Sequence, residues 1–372
     1  MGTIIRLVIL AALLIALAVG GLRLYFGGGK PYPELAGQPL VTESGLERVL
    51  SHPEPVGNVA VSSTGRVFFS VHPEARAKGP RLYEWRDGRA EPFPAAELQD
   101  GMLATPLGLT IDRSDRLWVI DPAMHGLSRP RIMAIDLATN LVVHEHVFPR
   151  RVAPRGAFLQ DLRVDPSGRM VYIADASIWR KSPALVIYDS LTRRSRRVLE
   201  DHPAVRAQDW IIRTPMREMR FLAGFVPLKV GLDGIALDPA GQWLYFGAMS
   251  HDTLHRVPVS ALLDEELDAA ALAERVEDVA RKPLSDGLAV GRDGGVYVTS
   301  VEHGAVLRIA AGKDPVTIVR SPRIRWADGL AAGPDGWIYL ADSALPEVLL
   351  KTRGHIREHG PYNIYRFRPP AE

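Results

Sequence analysis

Asp286-Gly287-Leu288-Ala289-Val290, then Gly291-Arg292-Asp293-Gly294-Gly295, then Val296-Tyr297-Val298 reads as two short apolar strands joined by a turn of glycine and aspartate. Five further copies keep this order. They begin Gly57-Asn58-Val59-Ala60, Gly108-Leu109-Thr110-Ile111, Asp161-Leu162-Arg163-Val164, Gly234-Ile235-Ala236-Leu237 and Gly329-Leu330-Ala331-Ala332. Their second strands are aromatic-rich, as in Leu117-Trp118-Val119-Ile120 and Leu244-Tyr245-Phe246. The phase residues are 58, 108, 161, 234, 287 and 329, separated by 50, 53, 73, 53 and 42 positions. A third strand follows each pair, for example residues 131–135, 184–188, 305–309 and 363–367. Strand units recurring every 40–50 residues or so mark propeller blades, because one blade cannot bury both its faces and a ring of them can. A β-sandwich gives no reason to keep one phase six times. The expected fold is all-β, a six-bladed β-propeller over residues 45–372. Leu46-Glu47-Arg48-Val49-Leu50 is expected to supply the outer strand that the last blade lacks after Phe367. The 73-residue interval carries a loop over residues 208–229, and a helix capped by Ser260 is expected to run to Ala280.

Ahead of the repeats, residues 7–22 contain no charged side chain, with Arg6 before them and Arg23 and Lys30 after. This length falls between the apolar core of a signal peptide, about 7–15 residues, and a spanning helix of about 17–25. Ala16-Leu17-Ala18 offers a small-residue cleavage pattern. Residues 1–26 therefore read as a signal peptide or membrane anchor, and 27–44, with Gly27-Gly28-Gly29, Pro31 and Pro33, as a linker. Either reading puts the propeller in the periplasm or outside the cell, secreted or held at the inner membrane.

Composition narrows the chemistry. The 372 residues carry 45 basic and 43 acidic side chains, so no electrostatic case exists for nucleic acid as partner. There is no cysteine, which excludes disulfides, thiolate nucleophiles and cysteine-held metals. No P-loop, G-x-S-x-G elbow, EF-hand loop or N-x-S/T sequon occurs. A monomer with a small-molecule ligand is expected.

Equal phase in a propeller means equal height along the central tunnel, which the innermost strands line. Gln160, Asp161, Asp233, Asp286 and Asp328 all stand at the start of that strand, joined by Asn58 in the first blade. They are expected to form a polar ring at one tunnel mouth. The second strand returns to the same face, and the loops there carry His72, His125, His251 and His303. Gathered carboxylates repel unless protons or a cation neutralise them. A hard divalent ion, Ca²⁺ first, suits Gln160, Asp233, Asp286 and Asp328 as ligands. Such an ion polarises a carbonyl or activates a water, and a histidine moves protons near neutral pH. Asp286 and His303 are the expected catalytic pair. Asn58, His72, His125, Asp161, His251 and Trp326 are the expected ligand contacts. A repeated Asp-Gly turn is the competing structural explanation of the aspartates.

Other patterns have plainer readings. His355-Ile356-Arg357-Glu358-His359 matches H-x-x-E-H, but glycine and proline bracket it too closely for the sustained helix of a metalloprotease. His144-Glu145-His146 fits an outer strand better than a metal site, and Arg193-Arg194 with Arg196-Arg197 fits a solvated hairpin.

Leu117-Trp118-Val119-Ile120-Asp121, Phe158-Leu159-Gln160-Asp161, Leu244-Tyr245-Phe246 running to Leu254-His255-Arg256-Val257-Pro258, Leu284-Ser285-Asp286-Gly287-Leu288 and Trp326-Ala327-Asp328-Gly329-Leu330 resemble the major royal jelly protein/yellow family. The resemblance covers most of the chain after Gly45. It implies a six-bladed propeller, export, and a small-molecule pocket at a tunnel mouth, with biogenic amines or dopachrome conversion in some relatives. A more distant similarity to calcium-dependent gluconolactonases of the regucalcin type implies a tunnel metal and lactone hydrolysis. By that pattern Asp286 falls on the metal-binding Asp, Asp233 and Gln160 fall where Asn residues stand, and the Glu position falls near Glu54 or Gly57. A non-catalytic interaction scaffold is the third expectation.

Overall fold

The computed structural model describes residues 2–99 and 101–370, so Met1 and Ala371-Glu372, the extreme ends of the expected segments, lie outside the described residues. Six four-stranded antiparallel sheets form the blades of a β-propeller. Blades one to five span residues 56–92, 109–147, 159–198, 232–281 and 288–320, each in simple up-and-down order. Blade six takes Ala327–Ala332, Ile338–Asp342 and Tyr362–Phe367 from the C-terminal end and Glu47–His52 as its outer strand. That strand pairs antiparallel with the last one, Glu47 opposite Arg366 and His52 opposite Tyr362, so the ring is closed by both ends of the repeat array.

Middle strands read as unbroken apolar runs because sheets cover them on both sides. In Met170–Asp175 every side chain from Val171 to Asp175 is buried. Inner strands pack one against the next around the axis, and this close approach explains the repeated glycine. A Cβ on Gly287 would collide with the backbone oxygen of Asp328, one on Gly234 with that of Asp286, and one on Gly108 with that of Gln160. None of the three has a left-handed φ. The Asp-Gly pairs thus owe their glycine to the neighbouring blade and not to a turn.

A different set of aspartates does serve the backbone. Asp175 at the end of a second strand accepts from the N–H groups of Phe158 and Ser177, at 2.7 and 3.1 Å. Asp342 accepts likewise from Arg325, Trp326 and Ala344, and Asp121 from Thr105 and Ala123. Each clamps the segment that enters its own blade's inner strand, using both backbone and charge-assisted hydrogen bonds.

The fourth blade departs from expectation. In place of one helix from Ser260 to Ala280 there are two short ones, Val259–Leu263 and Ala269–Ala273, the second capped by Asp268. Glu277–Arg281 is the blade's outer strand. The sheet's need for a fourth strand overrides local helix propensity. His144 and His146 both lie against Tyr188 of the next blade, with a 2.7 Å bond from His144 Nε2 to the phenol. Arg197 is buried in a bridge to Asp175, and Arg196 donates to the Leu262 carbonyl, so these arginines fasten structure.

The helix Gly2–Phe26 is exposed along its length. Only its end touches the propeller, where Lys229 Nζ donates to the Phe26 carbonyl and Lys181 Nζ sits 4.2 Å from the Tyr25 ring centre. The residues after it run strapped along blades four to five: Tyr32 donates to the Lys282 carbonyl, and the N–H groups of Gly37 and Val41 donate to Thr317 Oγ1 and the Ile318 carbonyl.

Candidate functional site

The mouth of the tunnel is built by an irregularity repeated at the start of the inner strands. The ladder slips between Val56 and Asn58, Leu159 and Asp161, Leu232 and Gly234, and Ala327 and Leu330. A residue left over in such a bulge is re-aimed out of the sheet. In blade five the N–H groups of Asp286 and Gly287 turn instead to Thr299 Oγ1, at 3.0 and 3.1 Å. The outcome is one level of side chains, Gln160, Asp233, Asp286 and Asp328, from four consecutive blades, all lining the same cavity. Leu107 stands at that level in blade two and Gly57 in blade one. Asn58 and Asp161 lie one residue further in and line the narrow space below.

Asp233, Asp286 and Asp328 are all buried. Gln160 Nε2 donates to Asp233 Oδ1, and Trp326 Nε1 donates to Asp286 Oδ2 at 2.8 Å. Burial, and after it the charge of Asp286, drives the carboxyls of Asp233 and Asp328 well above the usual range. Burial lifts Asp286 to about 6 against the opposing bond from Trp326. Asp161 is raised by burial as well, but Arg163 holds it at 2.9 Å and limits the rise. Asp233 Oδ2 and Asp328 Oδ2 have no hydrogen-bond partner. Buried polar atoms are rarely left so. The contrast with Asp175 and Asp342, whose oxygens are satisfied by backbone and arginine, separates a site from a fastening. Unpartnered carboxylate oxygens are hard donors of the kind a divalent cation such as Ca²⁺ takes, so the donor chemistry of the ring suits one.

The four loop histidines part company. His72 Nδ1 accepts from the Glu74 N–H at 3.1 Å, so its proton sits on Nε2, 3.7 Å from Asp328 Oδ2. Burial holds its pKa down at about 4, which keeps the ring neutral at physiological pH. His125 also lines the cavity. Its Nε2 is 2.7 Å from Glu74 Oε1, and its ring stacks on Phe158 at 4.4 Å between centres. Ala123, Met124, His125 and Gly126 all have left-handed φ, a tight turn that aims the imidazole. His251 instead packs against His255 inside blade four, and His303 lies 3.8 Å from Glu34; neither lines the cavity. Trp326 is wholly buried behind Asp286 and reaches the cavity only through it. Asn58 accepts from the N–H of Val59 at 2.8 Å.

Three features were not anticipated. Arg163 neutralises Asp161 from below, and its position two residues on along the strand was the signal. Glu74 orients His125 from another blade. The cavity wall is apolar, with Phe158, Trp179, Phe221, Leu228 and Met249. Phe221 belongs to the long interval between blades three and four, whose length marked an insertion without saying where it folds back.

Known proteins with this architecture include a gluconolactonase from Xanthomonas campestris, which superposes with a TM-score of 0.57 at 15% identity over 92% of this chain and 98% of its own. A calcium-binding protein, regucalcin, from Agrobacterium tumefaciens gives 0.53 at 16% identity, covering 88% of this chain and 96% of its own. At such identities the likeness is one of fold. In sequence the chain resembles two honeybee (Apis mellifera) proteins. Major royal jelly protein 2 is 23% identical over 62% of this chain and 50% of its own length, and major royal jelly protein 6 is 22% identical over 53% and 45%. The chain spans about half the length of these curated relatives. The family model described as major royal jelly protein matches residues 105–315, from the entry to blade two into blade five, and takes in the strands of Asp161, Asp233 and Asp286. That match takes in more than half of the residues, and the chain belongs to the major royal jelly protein family.

Proposed function

We propose that this protein binds a small organic ligand at the tunnel mouth, against a divalent cation held by Gln160, Asp233, Asp286 and Asp328, with Ca²⁺ the favoured ion. The observation that carries this is the pair of buried, unpartnered oxygens on Asp233 and Asp328. A calcium-binding relative in fold adds support. When bound, the cation supplies positive charge that polarises a carbonyl or hydroxyl oxygen. The chain's own residues do the rest. Phe158, Trp179 and Phe221 exclude water from the ligand's apolar part, and neutral His72 donates a hydrogen bond from Nε2.

A lactone-hydrolysing reading is favoured by one detail. Glu74 accepts from His125 Nε2–H, so His125 Nδ1 keeps a bare lone pair and has no partner. An imidazole so oriented can take a proton at Nδ1 as a general base.

Calorimetric titration of chelator-treated protein with Ca²⁺ tests the common element. One saturable site per chain, lost in Asp233→Asn with the fold intact by circular dichroism, is expected. No bound Ca²⁺ at roughly millimolar ion, a range in which extracellular modules bind, would overturn the reading. Turnover of gluconolactone that falls at least about 100-fold in His125→Gln, the scale of general-base loss, selects the hydrolase. Saturable binding of an aromatic amine without turnover selects the ligand carrier.

The same reading extends to location. The helix Gly2–Phe26 is long and apolar enough to cross a membrane, and its end rests among mouth-side loops at Lys181 and Lys229. Met124, Leu127, Trp179, Leu222, Phe225 and Leu350 are exposed on loops that return strands to that mouth. We infer that the helix anchors the protein and that the mouth faces the bilayer, so that a lipophilic ligand enters from the lipid side.

A further inference from the structure

His355 and His359 stand four residues apart on the short helix Arg353–Glu358 and its cap. This spacing puts both imidazoles on one helix face. Their rings stack at 3.9 Å between centres, inclined by 19°. Glu347, which ends the preceding turn Leu345–Glu347, points its Oε2 at both: 2.5 Å from His355 Nε2 and 3.6 Å from His359 Nε2. All three candidate ligand atoms lie within 4.8 Å of one another.

The surroundings fix the ring that matters most. His359 Nδ1 lies 2.9 Å from the His355 carbonyl oxygen, which only accepts, so Nδ1 carries the proton. With its proton on Nδ1, the ring turns the lone pair of Nε2 toward a carboxylate oxygen. Two acceptors facing each other are stable only with a positive charge between or on them. A backbone carbonyl that fixes a histidine tautomer in this way is the usual companion of a metal-ligating imidazole. The turn itself is pinned, because Thr352 Oγ1 caps it through the His355 N–H and the Tyr362 phenol donates to the Ile356 carbonyl at 2.7 Å. The H-x-x-E-H pattern therefore brings its two histidines together, but its own glutamate, Glu358, is exposed. The carboxylate comes from Glu347, eight residues before the first histidine.

We propose that Glu347, His355 and His359 form a second metal site, selective for Zn²⁺ or a similar late divalent ion. Two imidazoles and one carboxylate suit that class, whereas Ca²⁺ takes oxygen ligands. Tetrahedral bonds of about 2.0–2.2 Å would set the donors roughly 3.3 Å apart, so the contact at 3.6 Å is already near that spacing and the one at 2.5 Å has only to open. The side chains are 30%, 39% and 19% exposed for His355, His359 and Glu347, which leaves the fourth position to water. Leu345 and Leu349, on the stretch that carries Glu347, form part of the tunnel-mouth wall. The ion thus staples that wall to the helix of blade six. This site shares no ligand with the aspartate ring and stands whether or not the ring binds Ca²⁺.

The test uses the untagged full chain, freed of metal by chelation and titrated with Co²⁺ as a spectroscopic stand-in for Zn²⁺. One equivalent is expected to give the visible band of tetrahedral Co²⁺ and to be displaced by Zn²⁺, with thermal stability raised by the Zn²⁺-bound form. His359→Ala should abolish the band. Glu347→Gln should weaken binding at least about tenfold, and Asp286→Asn should leave it unchanged. Circular dichroism checks that each variant is folded, with His359→Gln as the milder alternative. No band at about 1 mM Co²⁺, far above the affinity of real zinc sites, or a band that survives loss of His359, overturns the proposal.

Discussion

Trp326 and Asp286 are joined across two blades: the indole Nε1–H, from the segment that opens blade six, donates to Asp286 Oδ2 of blade five at 2.8 Å. Both partners are buried, and the bond opposes the burial that lifts the Asp286 pKa to about 6. Its worth is that of a hydrogen bond to a charged group, about 1.5–3 kcal/mol. Trp326→Phe removes the donor and keeps most of the packing. Chemical denaturation is expected to show a loss of about 1.5–3 kcal/mol, and Ca²⁺ titration an affinity at least about tenfold lower. Unchanged Ca²⁺ affinity would separate this pair from the site.

The raised aspartate pKa values give a pH window. In the metal-free fold Asp286 keeps its proton up to about 6, whereas an unfolded aspartate loses it near its ordinary value of 3.8. Between these values the folded chain binds more protons, so stability present at low pH is lost as pH rises through about 6. Excess Ca²⁺ favours the ionised carboxylates. Its stabilising effect in thermal melts is therefore expected to be large above pH 6 and to fade below about pH 5. A Ca²⁺ effect that grows toward low pH would contradict the assignment.

Lys282 offers the opposite sign. It is fully buried, donates to the Pro283 carbonyl and Ser285 Oγ at 3.1 and 2.9 Å, and burial depresses its pKa to about 7 from 10.5. From pH 7 to about 10 the unfolded chain holds a proton that the folded chain has given up, so stability rises with pH across that range. Lys282→Met is expected to flatten this rise and to stabilise the protein at pH 7 by about 1–3 kcal/mol, measured by urea denaturation at both ends of the range.

Glycine at the blade contacts should be intolerant. Gly287→Ala drives a methyl into the Asp328 carbonyl of the next blade, and neither group can yield without moving a strand. A loss of about 3 kcal/mol or more is expected. Gly37→Ala meets nothing within 4 Å and should lie within about 0.5 kcal/mol of the parent protein. Equal losses at the two positions would refute the close-packing account.

The inferred orientation at the bilayer is checked by fluorescence. Trp179 is 49% exposed at the mouth. In full-length protein reconstituted into vesicles of brominated phosphatidylcholine and phosphatidylglycerol, part of the tryptophan emission is expected to be quenched, and Trp179→Phe to remove that part. No quenching, or quenching that persists in the variant, would turn the mouth away from lipid.

Strand phase was legible because it repeats. Six copies of one apolar pattern fix where each inner strand starts, and the ring closure by Glu47–His52 follows from the strand missing after Phe367. From that phase alone Gln160, Asp233, Asp286 and Asp328 fall at one height. The histidines were less legible. His72 and His251 both lie on the loops that follow second strands of their blades, yet one lines the cavity and the other packs inside a blade, because each loop finds its own hydrogen bonds once its neighbours are in place.

The sequence by itself determined the blade count, the closure and the level of the aspartates, since periodicity and hydrophobic patterning act along the chain. Only the tertiary structure decided which carboxylates are spent on backbone and arginine and which keep a free oxygen, that Glu74 meets His125 across 51 positions of chain, and that Glu347 joins His355 and His359. Those facts depend on contacts between distant segments, whose distances and desolvation exist only after the blades have packed.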